Sequence, residues 1–329
     1  MANACEDVLV VHIGAGFHSP KLTTAYRKLL KSSLTQDLIK STSCVIEKSL
    51  LTNTGKGSNV DREGHASLDA TYLQIKGKNV VKALSLINIC DENPTNQILE
   101  ANEWLDMEFS GGSLSSQFGL LRPTSLHHST LQAKRRHLLV NDVTHSETES
   151  ASEHHSGEID DDGGPHSDLI PCTIEDTVGI AEIKEEVITA VTSSGGNFFK
   201  IPGRVSCAGI MGAGIAYSCK DQIQVITICT GNGDDITRMG LAGFLSEQIA
   251  TQVSITSDQY FLSSVDSQGN PRIYLGAIVL LITPEYQRLL FCHSTESFYF
   301  GFKLKNGIEI VMSRKDAKTD DFLHGEYRL

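Results

Sequence analysis

The residue best suited to chemistry in this chain is a threonine that follows an acid at the start of a predicted strand. It is Thr177, in the run Asp176-Thr177-Val178-Gly179. A threonine hydroxyl is a poor nucleophile unless a base removes its proton. If attack by the Thr177 hydroxyl on the carbonyl of Asp176 opened the chain, the new α-amino group, with a pKa of roughly 8, would be that base. The sequence therefore predicts a nucleophile made by self-cleavage.

Four further residues could support this nucleophile. Ser194 follows the second of two strands predicted after Thr177, so strand, turn and strand would return its hydroxyl to the same sheet edge. Arg204 offers a fork of donors for a carboxylate. Thr230 and Gly231 lie between a predicted strand and a helix, where a hydroxyl and an N–H group could form an oxyanion hole. The alternatives stay open: a turn residue, a surface cation and a strand end.

The segment Thr52–Asn59 is the other candidate part of a site. It combines two glycines with short polar side chains, which is typical of a surface turn. The same composition suits a loop whose backbone wraps a ligand or an ion. Composition alone does not choose between these two interpretations.

The elements that would position these residues alternate irregularly along the chain. Helical spacing predicts helices near Leu22–Leu30, over Leu34–Lys48, over the small-residue stretch Arg204–Ala216 and over Ile236–Thr251. Strands are predicted at Val8–His12, at Ala66–Ile75 and Asn79–Ile89 as a hairpin, at Val178–Ile183, Val187–Thr192 and Gln224–Cys229, and as a closing meander at 272–282, 287–293, 297–304 and 307–313. This order favours an α+β sandwich over repeated βαβ units.

Residues 141–171 are predicted to be a disordered acidic linker. Residues 141–170 contain nine Asp or Glu, no Lys or Arg and almost no apolar side chain, so they bury too little surface to offset chain entropy. Histidines 145, 154, 155 and 166 could bind a metal, but a solvated linker is the preferred interpretation. Such a linker would leave the chain that ends at Asp176 accessible and slack.

Charge and cysteine usage exclude several classes of function. Of the net charge of −12, nine negative charges lie in the linker, which leaves about −3 elsewhere and argues against nucleic-acid binding. The eight cysteines form no C-x-x-C pair, which argues against a zinc ribbon. The N-terminus does not resemble a secretory leader, so we expect reduced thiols in an intracellular protein of the cytoplasm or nucleus. The longest apolar run, near Gly276–Ile282, is too short to span a membrane.

Seven segments together resemble the type-2 asparaginase group of N-terminal-nucleophile hydrolases and, within it, the threonine aspartases (taspases). They occur in family order and cover most of the chain outside the linker. The segments are Val8–Ser19, Leu51–Asn59, Asp176–Gly179, Val191–Gly196, Lys200–Val205, Cys229–Gly233 and His293–Ser297.

The resemblance implies one domain over residues 1–329 with a four-layer αββα sandwich. It implies self-cleavage into an α part (1–176) and a β part (177–329), paired as a heterodimer and as a dimer of heterodimers. It implies Thr177 as nucleophile supported by Ser194, and Thr230 with Gly231 as the oxyanion hole. It places Arg204, Asn53 and Gly233 in substrate binding. It implies no cofactor, while a structural sodium bound by backbone oxygens of the Asn53 region is left open.

Two features favour protein substrates over free asparagine. Asparaginases carry an Asp three residues after the arginine, which pairs with the α-ammonium of asparagine, and here that residue is Cys207. The segment His293–Ser297 also resembles the taspase pattern. The acid after the Thr-Gly-x-Gly run is Asp234 where Glu is usual, which leaves substrate preference open.

The sequence therefore predicts a threonine-type endopeptidase that cuts itself at Asp176–Thr177 and hydrolyses protein substrates after aspartate. One alternative is an L-asparaginase or isoaspartyl peptidase. Another, from a different class, is an inactive homologue that only binds partner proteins. Neither a nucleic acid nor a membrane is expected as a partner.

Overall fold

The computed structural model describes residues 6–90, 93–95, 98–99, 177–252, 274–316 and 322–329. The predicted linker 141–171 and Asp176, on the upstream side of the predicted scissile bond, lie outside the described residues. The described part is a mixed α/β fold with two antiparallel sheets and few helices. The α+β class expected from the order of elements agrees with this arrangement.

The described elements, in chain order, are strands and helices of ordinary length. The strands are β1 (Val8–Gly16), β2 (Leu68–Lys76), β3 (Asn79–Ile89), β4 (Val178–Lys184), β5 (Val187–Ser194), β6 (Ile215–Lys220), β7 (Ile223–Gly231), β8 (Leu275–Ile282), β9 (Gln287–His293), β10 (Ser297–Leu304), β11 (Gly307–Arg314) and β12 (Leu323–Arg328). The helices are α1 (Thr23–Leu34), α2 (Ile39–Glu47), α3 (Gly233–Met239) and α4 (Leu241–Thr251).

Strand order mixes segments from before and after Thr177. The larger sheet has the order β11-β10-β1-β4-β5-β2-β3, and the smaller sheet has the order β12-β9-β8-β7-β6. In the larger sheet β1 lies between β10 and β4, and β2 lies between β5 and β3. The N-terminal part of the chain therefore contributes central strands beside the strands that follow the predicted cleavage point.

Strand β1 is apolar on both faces because both faces are covered. Val8 and Val10 belong to the apolar cluster that also contains side chains of the smaller sheet. Leu9 and Val11 belong to a second cluster, which includes Tyr26 and Leu30 of α1. A third cluster joins α4 to the other face of the smaller sheet. Continuous burial of β1 is what its near-continuous apolar sequence predicted.

The predicted helix over Arg204–Ala216 is wrong. That stretch contains only a short 3-10 turn, Cys207–Gly209, and ends in β6, which begins at Ile215. The glycines explain the difference, since Gly212 has φ 88° and a Cβ on Gly214 would lie 2.4 Å from the Cys207 carbonyl oxygen. Small residues here permit a tight irregular loop rather than a helix.

Two other predictions are corrected by the structure. The helix predicted over Ile236–Thr251 is interrupted, because Gly240 with φ 56° ends α3 and precedes α4. The closing strands do exist but do not form one meander, since β8 and β9 belong to the smaller sheet and β10 and β11 to the larger. Among the described helices, none has the length and apolar character needed to cross a bilayer.

Candidate active site

Thr177 lies at the head of β4, where it is only 2% exposed. The ladder between β4 and β5 pairs Val178 with Ser193, so the same register places Thr177 beside Ser194. Successive strand residues alternate between faces, so Thr177 shares a face with Ala181 and Ile183. Those two residues belong to the cluster between the sheets. The Thr177 side chain is therefore directed toward the smaller sheet.

The thiol of Cys207 lies beside the candidate nucleophile. Its Sγ atom lies 3.6 Å from Thr177 Oγ1. Burial raises the pKa of the Cys207 thiol to about 11. The thiol is therefore protonated and uncharged at neutral pH. A neutral sulfur beside Thr177 cannot hold an ammonium group as a carboxylate would.

The guanidinium of Arg204 lies near Cys207, and only one of its two terminal nitrogens is paired among the described residues. Its Nη2 pairs with Asp234 Oδ1, while Nη1 is buried and has no hydrogen-bond partner among the described residues. A Cβ on Gly196 would lie 3.3 Å from Nη1. A Cβ on Gly233 would lie 3.6 Å from Cys207 Sγ and 3.7 Å from Nη2. Arg204 and Cys207 thus both lie close to Gly233, and Cys207 is the one of them that contacts Thr177.

Asn53 organises the loops on the other side of the site. Its Nδ2 donates to the Gly196 carbonyl oxygen at 2.9 Å and to Ser194 Oγ at 3.4 Å. Its Oδ1 accepts from the Asn59 N–H at 2.8 Å, and its carbonyl oxygen accepts from the Gly195 N–H at 2.8 Å. Ser194 Oγ also accepts from the Gly196 N–H at 3.0 Å. Asn53 and Ser194 are therefore brought together by the turn that follows β5.

The segment Thr52–Asn59 is not a surface turn. All of its residues are buried except Lys56. Thr54 Oγ1 lies 2.6 Å from Ser193 Oγ, which joins this loop directly to β5. The first interpretation, a surface turn, is therefore wrong, and a loop whose backbone wraps a ligand or an ion stays a prediction.

Thr230 and Gly231 lie at the end of β7, which packs against β1 and β4. Thr230 Oγ1 accepts a hydrogen bond from the Ala15 N–H at 3.3 Å, and Gly231 has φ 122°. Within the described residues, no hydrogen bond joins either residue to Thr177. Their assignment as an oxyanion hole stays a prediction.

Two buried charged residues that sequence reasoning missed support the loop that carries Arg204. Asp69 Oδ2 accepts from the Ser206 N–H at 2.6 Å. Lys200 Nζ donates to the Ser67 carbonyl oxygen at 2.5 Å, and burial lowers the pKa of Lys200. The signal available in the sequence was a charge inside a strand, since Asp69 interrupts the otherwise apolar start of β2.

His12 is a third residue that was not singled out. It is fully buried on β1, and neither ring nitrogen has a hydrogen-bond partner among the described residues. It pairs with Gly179 in the β1–β4 ladder, and a Cβ on that glycine would lie 2.2 Å from His12 Nε2. Burial lowers the pKa of His12 to about 3. The imidazole is therefore neutral at neutral pH.

Metal-binding side chains do not cluster in the described ranges. There, no group of three or more His, Cys, Asp or Glu could hold a metal ion. The four linker histidines lie outside those ranges.

Comparison with known proteins gives consistent matches. A family model described as asparaginase matches residues 16–282. The plant-type L-asparaginase of Pyrococcus furiosus is 26% identical over 293 residues, covering 80% of this chain and 90% of that relative. The N(4)-(β-N-acetylglucosaminyl)-L-asparaginase of Mus musculus is 26% identical over 226 residues, covering 65% of this chain and 64% of that relative.

Proposed function

The chain belongs to the asparaginase family, whose members are hydrolases of the N-terminal-nucleophile type, and from this premise we propose that it is a threonine-type endopeptidase. The proposed enzyme matures by self-cleavage at Asp176–Thr177 and hydrolyses protein substrates after aspartate. The observation that best supports the proposal is that the uncharged thiol of Cys207 lies 3.6 Å from the buried hydroxyl of Thr177, while Arg204 and Cys207 both lie close to Gly233.

Maturation is proposed to begin with the Thr177 hydroxyl. Its oxygen attacks the carbonyl carbon of Asp176, the peptide C–N bond breaks and an ester forms, with the hydroxyl proton passing to the leaving amine. Water then hydrolyses the ester, which restores the hydroxyl and leaves Thr177 as an N-terminal residue. The free amine next to the hydroxyl is thereafter the general base.

Substrate hydrolysis repeats this chemistry on another chain. The Thr177 amine takes the hydroxyl proton while the oxygen attacks the substrate carbonyl. Thr230 Oγ1 and the Gly231 N–H are the proposed donors to the developing oxyanion. Ser194, which the register places beside Thr177, is proposed to tune the nucleophile. The substrate C–N bond then breaks, with the proton held by the Thr177 amine passing to the leaving amine, and an acyl ester on Thr177 remains. Water hydrolyses this ester, which releases the acyl group and restores the hydroxyl.

Substrate choice is proposed to depend on Arg204 and Cys207. The buried Nη1 of Arg204 supplies a donor for the side-chain carboxylate of a substrate aspartate. An internal peptide has no α-ammonium group at its aspartate. A protonated thiol is compatible with such a substrate, because no counter-charge is required at that position.

The test uses the purified full-length protein. N-terminal sequencing and intact mass should reveal a fragment that begins at Thr177. An internal Asp-Gly peptide should then be cut after aspartate, and the matched Asn-Gly peptide should be cut far more slowly. Robust ammonia release from free asparagine with both peptides untouched would overturn the proposal.

Two other functions remain as alternatives with distinct outcomes. One is an L-asparaginase or isoaspartyl peptidase. The names of the Pyrococcus relatives support its L-asparaginase form, and ammonia release from asparagine or cleavage of an isoaspartyl dipeptide would identify it. A binding protein without activity would stay a single chain of 35.8 kDa.

The remaining architectural expectations are also proposals. Apolar clusters between the sheets and under the helices on each outer face support a four-layer αββα sandwich. We propose a heterodimer of residues 1–176 and 177–329, and a dimer of such heterodimers, with no cofactor. For a structural sodium in the Asn53 region, we propose the carbonyl oxygens of Ser49 and Thr52 as ligands, because both lie close to Gly57 in the same loop.

A further inference from the structure

The ion pair between Arg204 and Asp234 differs from a simple surface salt bridge because its two side chains are unequally exposed. Asp234 lies in the first turn of α3 with 70% of its side chain exposed, whereas the Arg204 side chain is 20% exposed. The Asp234 carboxylate accepts a hydrogen bond from Nη2, and among the described residues it is the only side-chain partner of the Arg204 guanidinium. One end of a largely buried cation is thus held from the solvent side.

The other end of the same guanidinium is turned inward. Nη1 is buried without a partner in the described part of the chain, next to Gly196. A guanidinium is planar, so fixing Nη2 also restricts the direction of Nη1. A buried donor without a hydrogen-bond partner lowers the stability of the fold. Such a donor persists where neighbouring contacts hold it in that position or where a ligand accepts its hydrogen bond. Asp234 can hold Nη1 in this buried position, because it fixes the other terminal nitrogen of the same guanidinium.

The backbone of α3 keeps Asp234 in place. The Asn232 side chain caps the helix by accepting from the Asp234 N–H at 3.1 Å and from the Asp235 N–H at 3.4 Å. Asp235 pairs instead with Arg238 on its own helix. Two adjacent carboxylates therefore share one cap and one helical turn, but only the first reaches Arg204.

We propose that Asp234 is a positioning residue that holds Arg204 so that Nη1 faces the carboxylate of the substrate. Other charges around Arg204 do not provide this restraint, because Lys200 is a second cation and Asp69 is engaged with the Ser206 and Asn88 N–H groups. This inference rests on the proposed function, since it needs Arg204 to be the carboxylate-binding residue.

The test separates orientation from charge with two variants at one position. Asp234→Ala removes the acceptor and the charge, whereas Asp234→Asn keeps an oxygen acceptor for Nη2 and removes only the charge. We expect Asp234→Ala to raise KM for the internal Asp-Gly peptide about tenfold with little change in kcat, equivalent to about 1.4 kcal/mol. Asp234→Asn should stay within about threefold of the wild type.

Asp235→Ala is the matched control, because it removes a carboxylate from the same turn of α3 and leaves the Arg204 pair intact. We expect it to behave as the wild type. An effect of Asp234→Ala that Asp235→Ala or Asp234→Asn reproduces would contradict a positioning role. So would a fall in kcat with unchanged KM.

A binding measurement keeps this inference distinct from the proposed protease activity. Calorimetric titration with N-acetyl-L-aspartate requires no peptide cleavage. Binding that Arg204→Ala abolishes and that Asp234→Ala weakens about tenfold, but Asp234→Asn does not, supports the inference even if no peptide is cut. Binding that is equal in the wild type and Asp234→Ala overturns it, as does the absence of Arg204-dependent binding.

Discussion

The two ends of strand β4 differ sharply although they belong to the same face of the same strand. Just before its head, Thr177 Oγ1 lies 3.6 Å from the Cys207 thiol, and Gly179 leaves space that the His12 ring occupies. Toward its end, Ala181 and Ile183 belong to the apolar cluster between the sheets. The burial is equal, since each of these residues is at most a few per cent exposed or classed as buried.

The difference between the two ends of β4 indicates how a buried hydroxyl can stay free of strong hydrogen bonds. The apolar end fixes the backbone by close packing and makes no demand on polar groups. The polar end can then hold side chains whose hydrogen bonds are few, because the strand does not depend on them for its position. We infer that chemistry and stability are carried by opposite ends of β4.

Replacement of Thr177 should have the largest effect among the tests of this comparison. Thr177→Ala should leave one uncut chain and lower peptide hydrolysis by about four orders of magnitude, because the nucleophile and its amine are both lost. Thr177→Ser keeps a hydroxyl and should retain self-cleavage. Intact mass and peptide assays measure both. Normal cleavage of the alanine variant at the same bond would contradict the proposed chemistry.

Replacement of Ile183 should have the opposite result. Ile183→Ala should lower the free energy of unfolding by about 2–5 kcal/mol, because it opens a cavity between the sheets. Ile183→Val is the matched control and should cost about 0.5–1.5 kcal/mol. Denaturant unfolding gives these values. Self-cleavage should be unchanged in the folded protein, and its loss there would show that the two ends are not separable.

His12, at the border between the two ends, should make stability depend on pH. Burial lowers its pKa to about 3 in the folded state, so the unfolded state, with a pKa near 6.5, binds the proton first as pH falls. The contribution of the neutral His12 to the free energy of unfolding is therefore fully present above pH 6.5 and is lost as pH falls toward 3. Between pH 7 and pH 5 we expect a loss of about 2 kcal/mol from this residue.

The measurement is denaturant unfolding at both pH values. His12→Gln should reduce the difference between pH 7 and pH 5 by that amount, whatever its effect on stability at pH 7. His65, whose side chain is 68% exposed, provides the control position. An identical pH dependence in the wild type and His12→Gln would show that His12 is not held neutral by burial.

The smallest expected effect is the coupling between Thr54 and Ser193. A double-mutant cycle with Thr54→Val and Ser193→Ala should give about 0.5–1.5 kcal/mol, because their hydroxyl oxygens are 2.6 Å apart in a buried contact. The partly buried pair of Thr71 and Ser85, at 3.2 Å, should give less. Equal coupling in the two pairs would remove any special role for this link between the Asn53 loop and β5.

The strands were predictable because their signal is local. The predicted bounds of β4 and β5 lie within two residues of the observed ones. Two runs of β-branched and apolar residues flank the short polar turn at Lys184-Glu185-Glu186, and this pattern is typical of a hairpin. The loop after Arg204 was not predictable in this way. Its glycines suit either a packed helix or a tight turn, and only the approach of Gly214 to the Cys207 carbonyl decides between them.

The sequence allowed the residues of the candidate site to be proposed, but it did not allow the contacts between them to be predicted. Thr177, Ser194 and Arg204 were singled out from their order in the chain. The engagement of Arg204 by Asp234 and the contact of Cys207 with Thr177 are tertiary, and each joins residues 30 positions apart. The burial of the segment Thr52–Asn59 likewise depends on the turn after β5, which composition does not encode.

The order of strands in the larger sheet has a consequence for the proposed break in the chain. Three of its six strand pairings, β10–β1, β1–β4 and β5–β2, join a strand from before residue 177 to one from after it. Drawing the two products apart would sever those three ladders and expose the apolar cluster between the sheets. Scission would therefore leave the two parts assembled: the cleaved protein would keep its mass on dilution and would unfold as one cooperative unit.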